Sequence, residues 1–121
     1  MSRILIIDDN DEERTILQTE FNEAGYQTIT ATNGEEGIVM AQQYLPDLIL
    51  CDIVMPGKDG FETYNALKSN TLTQKLPFVF LTGNADAING KLGRELSGEE
   101  YIEKPFSFSK LLAVVQSRLD N

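Results

Sequence analysis

Histidine is absent from this chain of 121 residues. Imidazole-based triads and metal sites are therefore excluded, and so is a phosphohistidine on the chain itself. Cysteine occurs once, as Cys51, so no internal disulfide can form. That fits a reducing compartment, and Cys51 reads as a small buried apolar residue. No apolar run approaches the roughly 18 residues of a membrane span. The N-terminal stretch MSRILIIDDNDEE carries only a short apolar run that acids follow at once, which is unlike a signal peptide. Basic residues are scarce as well: 10 Lys and Arg stand against 19 Asp and Glu, for a net charge of −9. Such a surface repels nucleic-acid backbones and anionic membranes. The expectation is a cytoplasmic protein with neither nucleic acid nor membrane as a partner. No repeat, low-complexity tract or linker interrupts the chain, so a single domain over residues 1–121 is predicted.

What is present is an alternation of short apolar runs and longer amphipathic ones. Ile4 to Ile7 is an unbroken β-branched and leucine run, the pattern of a strand buried on both faces. Asn10 and Glu13 read as a capping box opening a helix, with Leu17, Phe21 and Ala24 inward and Gly25 as its stop. Residues 26–31 form a less apolar strand, nearer an edge. Asn33 and Glu36 open a second helix that turns Ile38, Ala41 and Leu45 inward and ends at Pro46. Strands follow at residues 47–52, 77–82 and 100–104. Helices are predicted at about 60–69 and 84–96, the latter weakened by its glycines. A last helix, capped by Ser107, carries Phe108, Leu112, Val115 and Leu119 on one face. Five strand–helix units of this kind predict an α/β fold, a five-stranded parallel sheet wound on both sides by helices.

In such a sheet, ligands bind at the carboxyl ends of the strands. Polar residues stand at four of those ends: Asp8 and Asp9, Asp52, Thr82, and Lys104. Each alone is an ordinary turn or helix-start residue. Together, on strands about 4.8 Å apart, they can converge on one site. Two carboxylates about 5 Å apart repel by roughly 3 kcal/mol at an effective dielectric near 20. A hard cation such as Mg²⁺ relieves that repulsion and is readily shared with a phosphate. Lys104 offers a further positive charge, and Thr82 a hydroxyl donor. These are the parts of phosphoryl transfer, with Asp52 as the nucleophile and an aspartyl phosphate as its product.

Two rivals use similar letters. A calcium loop starting at Asp8 would need Gly where Glu13 stands. A haloacid-dehalogenase-type phosphohydrolase would use Asp9 and Asp11 as its acid pair, with Thr82 and Lys104. Against it, Glu13 stands where that family has Thr or Val, and a later acid pair is missing.

The acid pair Asp8-Asp9, the stretch DIVMPGKDG from Asp52 to Gly60, Thr82 before Gly83, and Lys104-Pro105-Phe106 occur in that order. With these residues the chain resembles the receiver domains of two-component response regulators, over essentially its whole length. The resemblance implies a flavodoxin-like strand order 2-1-3-4-5 with five helices. It implies phosphorylation of Asp52 by a histidine kinase or a phosphotransfer protein, and catalysis of nothing beyond its own phosphorylation and dephosphorylation. Asp9, Asp52 and the Val54 carbonyl would ligate Mg²⁺, with Asp8 acting through water. Thr82 and Lys104 would contact the phosphoryl group, and Tyr101 would turn inward when Thr82 moves. The output would be a downstream protein, met as a monomer or as a phosphorylation-dependent homodimer. The chain would either stand alone or be a receiver cut from a larger regulator or hybrid kinase.

Overall fold

The computed structural model describes residues 2–83 and 101–120. The elements run in the order β1 (Arg3–Ile7), α1 (Asp11–Glu23), β2 (Gln27–Ala31), α2 (Gly34–Tyr44), β3 (Leu48–Asp52), α3 (Gly60–Lys68), β4 (Phe78–Thr82), β5 (Tyr101–Glu103) and α4 (Phe108–Leu119). Among the described residues there are thus four helices. The fifth expected from the sequence, over residues 84–96, lies outside them. The five strands form one sheet in the order β2-β1-β3-β4-β5, every pairing parallel. Chain direction across the sheet reverses at β1, between β2 and β3. The crevice over the ends of β1 and β3 is therefore the place where the topology leaves room for a ligand.

Alternation along the strands splits the core in two. Leu5, Ile7, Ile49, Cys51, Phe78 and Phe80 face Ala41 of α2 and Phe61 and Leu67 of α3. Ile4, Ile6, Leu48, Leu50, Val79 and Leu81 face Leu17 and Phe21 of α1 and Leu111 and Val115 of α4. Both faces of the central strands are dry, which is why their sequences are unbroken apolar runs rather than alternating ones. β2, with only Ala31 buried, is an edge strand, as its mixed composition predicts.

Three helix faces differ from expectation. Leu45 is 49% exposed, because it is the left-handed C-cap of α2 with φ +45°, which carries it off the inward face. Ala24 is the C-cap of α1 and is exposed. In α4 the stripe that is fully buried is Leu111 and Val115, while Phe108, Leu112 and Leu119 flank it half-buried.

Close packing fixes the turn after Asp52. Gly60 opens α3, and its N–H donates to the Ile53 carbonyl at 2.8 Å. A Cβ at this position would lie 2.5 Å from the Asp52 carbonyl oxygen and 2.7 Å from the Ile53 Cα. Both are backbone atoms, so neither can swing aside. Gly60→Ala is therefore expected to destabilise the fold by about 1–3 kcal/mol, read as a lower urea midpoint at unchanged slope; an unchanged midpoint would show that the turn gives way freely.

Candidate functional site

β1 delivers Asp8 to the crevice with no exposed surface. Its backbone N–H still donates to Ala31 of β2 at 3.1 Å, so the residue is held as part of the sheet. Its Oδ1 accepts the Asn10 N–H at 2.9 Å, and its carbonyl accepts Arg14 Nη1 at 2.8 Å. Its Oδ2 is buried without a hydrogen-bond partner. β3 delivers Asp52, also buried, and Oδ1 of Asp52 accepts Lys104 Nζ at 3.1 Å. Lys104 follows β5, and its N–H donates to the Thr82 carbonyl at 2.7 Å, tying the ends of β4 and β5 together. Thr82 is buried at the end of β4.

The structure adds Glu13 to this set. Its Oε1 is 2.8 Å from Lys104 Nζ. That contact is an ion pair out of line for a hydrogen bond, whereas the Asp52 contact is aligned. One oxygen from each of Asp8, Glu13 and Asp52 lies within 4.8 Å of the others. From the sequence, Glu13 is the second half of a capping box reaching back to the Asn10 N–H. Asp8 already occupies that N–H by a turn two residues long, so the Glu13 carboxylate is released toward Lys104. A complete capping box does occur, at Asp59 and Glu62 of α3. The signal for Glu13 was present but indirect: an Asp two residues before Asn10 competes locally for the same donor.

Asp9 is exposed and borders a polar cleft with Asn33, Glu35 and Lys58 rather than the three-carboxylate cluster. Val54 is 82% exposed. Tyr101 is half-buried against the cluster of α2 and α3. The phosphohydrolase pairing of Asp9 with Asp11 is not made: Asp11 is exposed and paired with Arg14.

The electrostatics follow from this packing. Burial, then the neighbouring Glu13 and Asp52, pushes Asp8 up to about 8. Burial also raises Asp52, with Glu13 and Asp9 adding to the effect and Lys104 opposing it. Burial alone would raise Glu13, but Asp8 and Lys104 hold it below the usual carboxylate range. Burial would lower Lys104, yet its two carboxylate partners raise it. In the metal-free protein, burial and the neighbouring Glu13 thus favour the protonated form of Asp8. An orphaned buried carboxylate oxygen and two further carboxylates form a donor set that fits a hard divalent cation, with the Lys104 ammonium beside it as a counter-charge.

The sign of the pH dependence is fixed. The Asp8 pKa is raised on folding, so its stability contribution is present below the ordinary value of 3.8 and is lost as pH rises toward about 8. Asp52 shifts the same way. Metal-free protein should therefore melt lower at about pH 9 than at about pH 5. Asp8→Asn gives Glu13 a neutral donor and should remove most of that fall. An undiminished fall in the variant would place the titration elsewhere.

The response regulator receiver domain family matches residues 4–116. Protein PilH of Pseudomonas aeruginosa is 33% identical over 98% of this chain and 98% of its own length. The alkaline phosphatase synthesis transcriptional regulatory protein PhoP of Bacillus subtilis is 36% identical over 97% of this chain and 48% of its own. The chain thus spans about half the length of that regulator. A solved structure described as a response regulator from Chloroflexus aurantiacus superposes with a TM-score of 0.89 at 32% identity, over 99% of this chain and 98% of the other.

Proposed function

We propose that in this chain, which belongs to the response regulator receiver family, Asp52 is the residue that takes the phosphoryl group. The chain is a phosphoacceptor receiver of two-component signalling, a signalling domain rather than an enzyme turning over a separate substrate. Such a receiver is served by a histidine kinase. With no histidine of its own, this chain depends on the partner for the phosphorylated imidazole.

The observation that carries the assignment of Asp52 is its contact with Lys104 Nζ at 3.1 Å, at a buried strand end. In the reaction, the Asp52 oxygen not held by Lys104 attacks phosphorus. An O–P bond forms, the P–N bond to the partner's imidazole breaks, and the electron pair stays with that ring. Mg²⁺ is the cation we assign to the carboxylates, and when bound it neutralises charge on the phosphoryl oxygens. Asp9, Asp52 and the Val54 carbonyl would ligate it, with Asp8 acting through water. Lys104 stabilises the same oxygens from the other side. The Thr82 hydroxyl donates to one of them and moves toward it, and Tyr101 follows into the space behind. The phosphorylated state then binds a downstream protein, or a second copy of the chain, through the face that carries Tyr101. The net charge of −9 argues against direct binding to nucleic acid by these residues.

Among the described residues no helix is long and apolar enough to cross a membrane. We place the chain in the cytoplasm, where Cys51, fully buried, stays reduced.

Incubation with phosphoramidate, followed by intact mass, tests the assignment. The native protein should gain one phosphoryl group only when Mg²⁺ is present, and Asp52→Asn should gain none. Equal gain by the variant at the same rate would move the acceptor to another residue.

A further inference from the structure

The family reading accounts for Asp52, Lys104 and the strand-end acids, and leaves Glu13 without a part. Yet Glu13 makes the shorter of the two contacts to Lys104, 2.8 Å against 3.1 Å to Asp52. Its backbone is fixed in the first turn of α1, where its own N–H donates to the Asn10 side chain at 2.9 Å. Its side chain is not drawn back into that cap, because Asp8 holds the Asn10 N–H. The carboxylate is therefore committed to the crevice, with Oε1 buried.

We propose that Glu13 is a positioning residue that acts through Lys104: it is the resting counter-ion of the ammonium and competes for it with the phosphoryl group on Asp52. The inference rests on Asp52 as the acceptor. Before phosphorylation, Lys104 is divided between two anions, and the acidic cluster gains from a divalent cation. After phosphorylation, a group bearing close to two negative charges arrives beside Asp52. It needs Lys104, and Glu13 both retains that lysine and repels the newcomer. One carboxylate thus acts with opposite sign on the two ligands, favouring the cation and disfavouring the phosphoryl group. Lys104 and Glu13 are each partly exposed, so the loss of one pair changes affinities by modest factors rather than by orders of magnitude.

Glu13→Gln tests this, since it keeps the size of the side chain and removes only the charge. Two affinities are measured by calorimetry: that for Mg²⁺, and that for beryllofluoride, a tetrahedral phosphoryl mimic, at saturating Mg²⁺. Mg²⁺ binding should weaken about threefold and beryllofluoride binding should tighten about fivefold, the size expected for a partly exposed ion pair. A purely structural role would move both in the same direction or neither. In a Lys104→Met background the gain in beryllofluoride affinity should shrink, because no ammonium is left to release. A full gain there would mean bare repulsion and overturn the part assigned to Lys104. Abolished Mg²⁺ binding in Glu13→Gln would make Glu13 a direct metal ligand and overturn the proposal. Native protein that binds Mg²⁺ but no beryllofluoride would instead defeat the reading of Asp52, and the inference with it. Native protein that binds both, with Glu13→Gln unchanged, would defeat the inference alone.

Discussion

Lys104 brings a single ammonium to a crevice where Asp8, Glu13 and Asp52 each present a carboxylate oxygen within 4.8 Å of the others. That imbalance governs the rest of the site. With burial as the first cause, the crowding by Glu13 and Asp52 raises Asp8 above the ordinary carboxylate range, while Asp8 and Lys104 hold Glu13 below it. The imbalance also explains why a hard cation has a place prepared for it, and why a phosphoryl group arriving on Asp52 must contend for a charge already shared.

Such an arrangement repels itself, and only a stiff frame can hold it together. β1, β3 and β4 are that frame. Apart from Arg3 at the start of β1, their residues are buried, and the two apolar layers clamp the sheet from both sides. Asp8 and Asp52 stand at the ends of adjacent parallel strands in fixed register, Ile7 opposite Cys51. The strands cannot slide apart to relieve the charge without exposing Ile4 to Ile7 and Leu48 to Cys51, which costs far more than the repulsion. The core's apolar energy therefore keeps the acids close.

The fold was legible in the sequence because a doubly covered sheet leaves unbroken apolar runs at β1, β3 and β4, while β2 and β5 were read from shorter, mixed segments. The strand order was not legible from pattern, since periodicity says nothing about which strands are neighbours; it came from the resemblance. Helix faces were read less well at their ends. Leu45 is turned out by a left-handed cap, and Leu112 yields the innermost place to Leu111. Asp8, Asp52, Thr82 and Lys104 were legible because a strand end fixes both position and direction. Glu13 was not, because two acceptors compete for the Asn10 N–H and only the packed structure shows that Asp8 prevails. Asp9, read as part of the same site, stands two residues past the strand and is exposed.

The positive partner is mounted differently from the acids. Tyr101 opens β5, the shortest strand and an edge of the sheet, and Lys104 follows it. Its three residues pair only with β4, and the Lys104 N–H to Thr82 carbonyl bond closes that pairing. Tyr101 and Lys104 are half-buried, whereas Asp8 and Asp52 are buried. β3 is locked on both faces, so under the proposed function a response to a new charge on Asp52 would fall on the edge that is least constrained. Lys104 directly follows that edge strand, so a force drawing it toward Asp52 would also act on Tyr101, at the other end of the same short strand. The difference in packing between the two mounts gives the site a rigid half that receives and an edge that yields.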